Sequence, residues 1–196
     1  MQIIKSLSDY SGFKYYSNKN LYNKTKVING VTYQRVRDID YNKIKPERAG
    51  VIVYFKYRNM LYFCLGMDSN THEFTDFGGS VKYKIENCIK GALREFREES
   101  LVFRKLSINE IDHFYSIYDD KNIVIFVGYE LDPKDVNKKF IEKFYKIEKP
   151  EVCSLVWMRA EVLQKHIKNG DQIFYRLRDF LLKAEFDKDC NINFVI

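Results

Sequence analysis

Apolar and polar positions along the chain fall into short blocks, and the period of each block predicts an element. "VIVYFKY" (51–57) and "MLYFCLGM" (60–67) are strand-length apolar runs separated only by Arg58-Asn59, which predicts a β-hairpin. "HFYSIY" (113–118) and "NIVIFVGYEL" (122–131) flank the turn "DDKN" and predict a second hairpin. "VCSLVWM" (152–158) reads as a buried strand. From Asn87 to Val102 the period changes. Ile89, Ala92, Leu93, Phe96 and Phe103 recur at helical spacing, and Asn87 is suited to cap the helix start. "DVNKKFIEKFYKI" (135–147) is a second amphipathic helix with Phe140, Phe144 and Ile147 on one side. "QIFYRLRDFLLKAEF" (172–186) is a closing helix with Phe174, Leu177, Phe180 and Leu181 inward. Strands and helices mixed in this order predict an α/β protein, an α/β/α sandwich around a mixed sheet.

Composition narrows the class. A chain of 196 residues with 45% hydrophobic positions can bury the core of one domain. No apolar run approaches the roughly 18 residues of a membrane span, and the first residues lack the apolar stretch of a signal peptide. Cys64, Cys88, Cys153 and Cys190 are widely spaced with no CxxC. Reduced thiols in a cytoplasmic, intracellular protein fit them better than disulfides or structural zinc. Cys88 stands at the start of the first helix, where a thiolate would be favoured, but no partner marks it as a nucleophile.

Charge changes the picture at the N-terminal end. Residues 1–50 hold ten Lys/Arg and four Asp/Glu, leaving 23 of the 33 basic and 23 of the 27 acidic residues to everything after. The whole net charge of +6 therefore sits in the first quarter, interleaved with Tyr10, Phe13, Tyr15, Tyr16, Tyr22, Tyr33 and Tyr41. With Pro46 and Gly50 as punctuation, the expected organisation is a basic, aromatic-rich extension over 1–47 and a catalytic-type domain over 48–196. Basic residues mixed with aromatics can hold a polyanion and stack on bases, with Lys14, Lys24 and Lys26 as candidate contacts. The plainer reading is a solvated face whose tyrosines cover the main domain.

The helix after Gly78-Gly79 carries the chemistry. On a wheel of roughly 100° per residue the apolar residues occupy one arc, and Glu95, Glu98 and Glu99 occupy the next. Spacings of three and four residues let these carboxylates converge, as hard divalent cations such as Mg²⁺ or Mn²⁺ require. Arg94, four residues before Glu98 and eight after Glu86, can fix a carboxylate with a two-pronged bond. A solvated Glu/Arg-rich surface helix would read much the same. The upstream glycine pair, whose backbone can approach the helix and lend a carbonyl, weighs against it.

Here the residues resemble the Nudix hydrolase signature, which runs Gly, five residues, Glu, seven residues, then Arg-Glu-apolar-any-Glu-Glu-any-Gly-apolar. In this chain Glu86 is followed, after seven residues, by Arg94-Glu95-Phe96-Arg97-Glu98-Glu99-Ser100-Leu101-Val102. The resemblance covers about 24 residues, with the order of strands and helices across 48–165 in agreement. There are two departures: six residues, not five, separate Gly79 from Glu86, and Leu101 replaces the closing glycine. The resemblance implies a Nudix-type α/β/α sandwich and a metal-dependent pyrophosphohydrolase that cleaves a nucleoside-diphosphate-linked substrate. Glu98 and Glu99, with a Gly78 or Gly79 carbonyl, would be the metal ligands, and Glu95 a ligand or the base. Arg94 would orient them, paired with Glu86 or Glu98. An extra acid outside the box would be Glu151, or else Glu148.

The signature names no substrate. Hydrolysis of an RNA cap or RNA 5′ end is favoured by the basic first 50 residues. A small-nucleotide hydrolase acting on a nucleoside triphosphate, nucleotide sugar or dinucleoside polyphosphate is the alternative, and a non-catalytic Nudix-fold binding module the third. Expected partners are thus a nucleotide or capped RNA, with no membrane. His72, upstream of the glycines, and Tyr115, in an alternating strand, are further candidates for substrate contact; Trp157 reads as core.

Overall fold

In the computed structural model, the described residues are 14–15 (backbone), 25–103 and 105–196. Their strands are β1 (Lys14–Tyr15), β2 (Lys26–Ile28), β3 (Val31–Arg35), β4 (Arg48–Tyr57), β5 (Met60–Asp68), β6 (Phe74–Thr75), β7 (Phe77–Ser80), β8 (Tyr115–Tyr118), β9 (Asn122–Glu130) and β10 (Val152–Arg159). The helices are α1 (Cys88–Ser100), α2 (Ile108–Ile111), α3 (Pro133–Phe144), α4 (Ala160–Asn169), α5 (Tyr175–Lys183) and α6 (Asp189–Val195).

The strands form a mixed sheet in the order β10-β5-β4-β9-β8-β3-β2. Both hairpins form where the apolar runs place them: β4–β5 turns through Arg58 and Asn59, each at positive φ, and β8–β9 through Asp119 to Lys121. The β4–β9 pairing is parallel, whereas the hairpins and the β10–β5 edge are antiparallel. Strand β4 forks: residues 48–51 pair with β7 and residues 53–57 with β5. The fork brings the glycine pair of β7 beside the first half of β4, under α1.

Side-chain alternation divides the core. Tyr129 and Phe126, an odd number of residues apart on β9, face opposite sides of the sheet. Tyr129 meets Phe103, which stacks on Phe96 of α1. Phe126, with Phe63, packs on Phe186 after α5. Helices α1 and α3 thus cover one face, and α4, α5 and α6 the other, giving the expected α/β/α sandwich. Helix α1 starts as its sequence predicts, with the Asn87 side chain accepting from Lys90 N at 2.9 Å.

Two expectations change, and one helix was not foreseen. The segment before residue 47 is, over its described part, built into the sheet: β3 pairs with β8, Tyr33 is fully buried, and its hydroxyl donates to Ala184 O. Strand β10 is an edge, burying Val152, Leu155 and Met158, while Trp157 is half-buried and donates Nε1–H to Asn137 Oδ1 at 2.7 Å. Helix α4 escapes the pattern reading; its buried stripe is short, only Leu163 and Ile167, and Gly170 ends it at φ 76.

Candidate active site

The fork in β4 sets the site. Arg48, at the start of β4, is buried and grips Asp76 with both guanidinium nitrogens, Nη1 to Oδ2 at 2.8 Å and Nη2 to Oδ1 at 2.6 Å. Asp76 is fully buried. Arg48 Nη2 also donates to Gly78 O at 3.0 Å, so the ion pair clamps the strand carrying the glycines. The glycines are needed for space. A Cβ on Gly78 would lie 2.5 Å from Gly50 Cα, and one on Gly79 would lie 2.7 Å from the Glu95 carboxyl carbon. A larger residue at 78 would collide with the β4 backbone, and one at 79 would displace the Glu95 carboxylate.

On and just before α1 the acids are held by two devices. Arg94 gathers three of them. It donates Nε to Glu86 Oε2 (3.1 Å) and Nη2 to Glu86 Oε1 (2.8 Å), while Nη1 reaches Glu95 Oε1 (2.6 Å) and Glu98 Oε2 (3.2 Å). Its Nη2 also reaches Ser80 O at 3.1 Å. The Glu86 carboxyl is held below its ordinary value, first by this bond to Arg94. The extra residue between Gly79 and Glu86 is absorbed by the turn at Lys82–Glu86, and Lys82 N–H donates back to Glu86 Oε1 at 3.0 Å.

Glu99 lies apart from Arg94. Its Oε2 accepts from Gly78 N–H at 2.8 Å, and burial, followed by the charges of Asp76 and Glu95, pushes its carboxyl up to about 9. Glu151, ahead of β10, adds to that push. Glu99 and Glu151 line a cleft of about 260 Å³ together with Arg48, Gly78, Gly79 and Arg176. An adjoining recess joins Glu95, Glu98, Glu99 and Glu151. Glu95, Glu98 and the glycine pair therefore line two adjoining recesses that meet at Glu99 and Glu151; Glu86 and Glu148 line neither.

Leu101, at the position of the missing glycine, adopts φ 58 and ψ −31, so this helix end keeps a backbone shape that glycine adopts more readily. Cys88 is buried, and burial, which outweighs two opposing backbone bonds, pushes its thiol up to about 11 instead of favouring a thiolate. His72 is exposed in the turn after β5 and does not line the cleft. Tyr115 is buried against Phe194 under the Arg35 guanidinium, so it cannot touch a ligand in the cleft. Lys26 bonds Asn191 Oδ1 at the far edge of the sheet. Lys24 and the side chain of Lys14 lie outside the described residues.

Sequence reasoning missed Arg48, Asp76 and Arg176. Asp76 carried a usable signal: an acid inside the apolar "FTDFGG" run needs a cation nearby. Arg48 was obscured by a boundary drawn one residue before it.

Among the described residues no three Asp, Glu, His or Cys side chains already converge as a cage for a metal ion. Glu95 and Glu98 turn to Arg94, and Glu99 to Gly78. No protein-family model matches the chain, and no curated protein does. Among solved structures, the C. elegans Ap4A hydrolase is similar at 18% identity and a TM-score of 0.39, covering 72% of this chain and 97% of that one. The Bacillus subtilis pyrophosphohydrolase BsRppH gives 17%, 0.42, 83% and 96%, and the Nudix domain of Shewanella oneidensis NrtR, in complex with ADP ribose, 17%, 0.36, 71% and 94%. In its own residues the chain resembles Nudix proteins in its acidic box.

Proposed function

We propose that this chain is a Nudix-type, divalent-metal-dependent hydrolase of phosphoanhydride bonds, acting on a nucleoside-diphosphate-linked substrate. One observation carries the reading: four glutamates, three on α1 and Glu151 just ahead of β10, line one recess, with Glu99 half-buried in it and its carboxyl pushed up to about 9. A surface helix of solvated glutamates has no reason to bury one of them against two others.

The donor set fits Mg²⁺ or Mn²⁺ in kind, since all its ligands are hard oxygens. Glu98, Glu99 and Glu95 would hold the ions, with Glu151 at the rim. Of the glycine carbonyls, that of Gly79 faces Ala49 in the β4–β7 ladder, leaving that of Gly78, which accepts from Arg48, the better candidate. Bound divalent ions neutralise a diphosphate and acidify a water molecule. The chain's own residues do the rest. Arg94 fixes Glu86 and aims Glu95 and Glu98; Gly78 N–H fixes Glu99; Arg48–Asp76 keeps the glycine strand in place. Glu95 or Glu98 takes the proton from the attacking water, and Arg176 offers the departing phosphate a charge at the cleft wall. Among substrates, the RNA 5′ end is favoured over small nucleotides by the charge of the first 50 residues.

Glu98 is the test. Its side chain is 57% exposed, against 13% for Glu95 and 8% for Glu86, and among the described residues only Arg94 restrains it. Glu98→Gln should lower kcat about 10²-fold or more, the scale of a lost base or charge-stabilising group, with an unchanged circular-dichroism spectrum. The panel should include capped RNA, cap dinucleotide, nucleoside triphosphates, ADP-ribose and diadenosine polyphosphates with Mg²⁺ and Mn²⁺. Near-normal turnover by the variant, or no turnover of any substrate by the natural chain, refutes the reading.

A further inference from the structure

Next to the acidic recess, and sharing Leu101 and Ile147 with it, lies a groove of about 420 Å³ of opposite character. Arg97, Lys105, Lys143 and Lys146 rim it. Arg97, Lys105 and Lys146 are exposed, and no carboxylate among the described residues pairs with them. Lys143 Nζ donates to Leu101 O at 2.7 Å, which sets a cation on the boundary between groove and recess. Cations at the end of α1 are partly explained by its dipole, and that accounts for Arg97 and Lys143. It does not account for Lys105, which follows the helix, or Lys146, which follows α3.

Two further observations give the groove a direction. Its floor is apolar, with Leu101 and Ile147 partly open to solvent at the junction with the recess. Strand β1, one described piece of the basic N-terminal segment, pairs Lys14 with Glu130 and Tyr15 with Tyr129. The Tyr129 ring lies 5.1 Å from that of Phe103, which lines the groove. One short strand of the net-positive first quarter therefore joins the sheet beside the one cationic groove that adjoins the acidic recess among the described pockets.

We propose that this groove is the path of a single-stranded RNA leading away from its 5′ end, with successive phosphodiesters on the four cations and a base face on Leu101 and Ile147. The proposal rests on the hydrolase reading of the recess and names the substrate class: an RNA chain and not a free nucleotide. The charge pattern demands such a division. Glutamates crowding the recess repel every phosphate not neutralised there, so the next phosphates of a strand need cations of their own just outside.

The test reverses two exposed charges that lie outside the proposed catalytic machinery, Lys105→Glu with Lys146→Glu. Binding of a fluorescently labelled, 5′-monophosphorylated 12-nucleotide RNA is followed by anisotropy in EDTA, so it does not depend on turnover. The double variant should bind about ten-fold or more weaker. Its plot of log affinity against log salt should be flatter by about 1.4, from two lost contacts at roughly 0.7 each. Mn²⁺-dependent turnover of a nucleoside triphosphate should stay within about two-fold of the natural chain. The proposal is overturned if the variant binds RNA like the natural chain, if polyglutamate binds as tightly as RNA, or if nucleotide turnover falls as much as RNA binding. The two readings fail separately. Charge-sensitive RNA binding with no hydrolysis would leave the groove and remove the hydrolase; hydrolysis of nucleotides with no RNA binding would do the reverse.

Discussion

Glu99→Gln should make the metal-free protein more stable above neutral pH, although it removes a central acid. The Glu99 carboxyl is pushed from its ordinary 4.5 up to about 9 by burial, then by Asp76 and Glu95. Between those values the folded chain holds a proton that the unfolded chain has released. Stability from this group is therefore present below pH 4.5 and lost as pH rises toward 9. One proton corresponds to at most about 1.4 kcal/mol per pH unit, hence up to about 2.7 kcal/mol between pH 6 and pH 8. For a domain of this length about 1 kcal/mol moves Tm by roughly 2–4 °C. Glutamine has the shape of the protonated acid, can accept the same Gly78 N–H, and does not titrate. Thermal unfolding in EDTA at pH 6, 7 and 8 should show the natural chain losing ground to the variant by as much as about 5–10 °C. At pH 8, Mn²⁺ at a hundred times its dissociation constant should return about 2.7 kcal/mol to the natural chain and less to the variant. Parallel Tm curves across this range would show that Glu99 is not buried as an acid, and the account of the recess would fall with them.

Two further outcomes follow from the frame around the recess. Asp76→Asn leaves Arg48 buried without its counter-charge and should cost about 3–5 kcal/mol in urea unfolding; a loss below about 1 kcal/mol would mean that water reaches this pair. At Leu101, φ 58 reverses the usual helix ranking, so Leu101→Gly should be more stable than Leu101→Ala by about 1 kcal/mol. The common order, alanine above glycine, would refute the strained helix end.

Elements whose signal is local were legible in the sequence. The two hairpins, α1 with its Asn87 cap, and the side-by-side arcs of apolar and acidic residues all follow from period and turn chemistry. What failed depends on contacts between distant segments. Tyr33 looked like part of a basic extension, because nothing near it in sequence reveals that its hydroxyl meets Ala184. Tyr115 looked available because alternation gives two faces, and only the position of α6 shows that Phe194 covers the one it uses. Arg48 and Asp76 stand 28 positions apart, so neither announces the other. Within the box the roles of the acids were legible as a set but not singly. Which carboxylate meets Arg94 and which meets a backbone N–H depends on β7, whose path is set by the fork in β4.

The same distinction explains how a chain can keep like charges so close together. Glutamates three and four residues apart on one helix repel, and the fold answers with two different counterweights. For Glu86, Glu95 and Glu98 it is one guanidinium, reaching all three. For Glu99, which faces Gly78 and not Arg94, it is a proton, held because burial and the charges of Asp76 and Glu95 make ionisation costly. Both are replaceable. A divalent ion held in the recess would displace the proton of Glu99 and compete with Arg94 for Glu98, which Arg94 holds at 3.2 Å and which is the most open to solvent of the three acids it reaches. The bidentate Arg94–Glu86 pair would stay intact. The residue that neutralises these acids would then become the residue that orients them, a role that a lysine, with one point of charge and no fork, could not take over from Arg94.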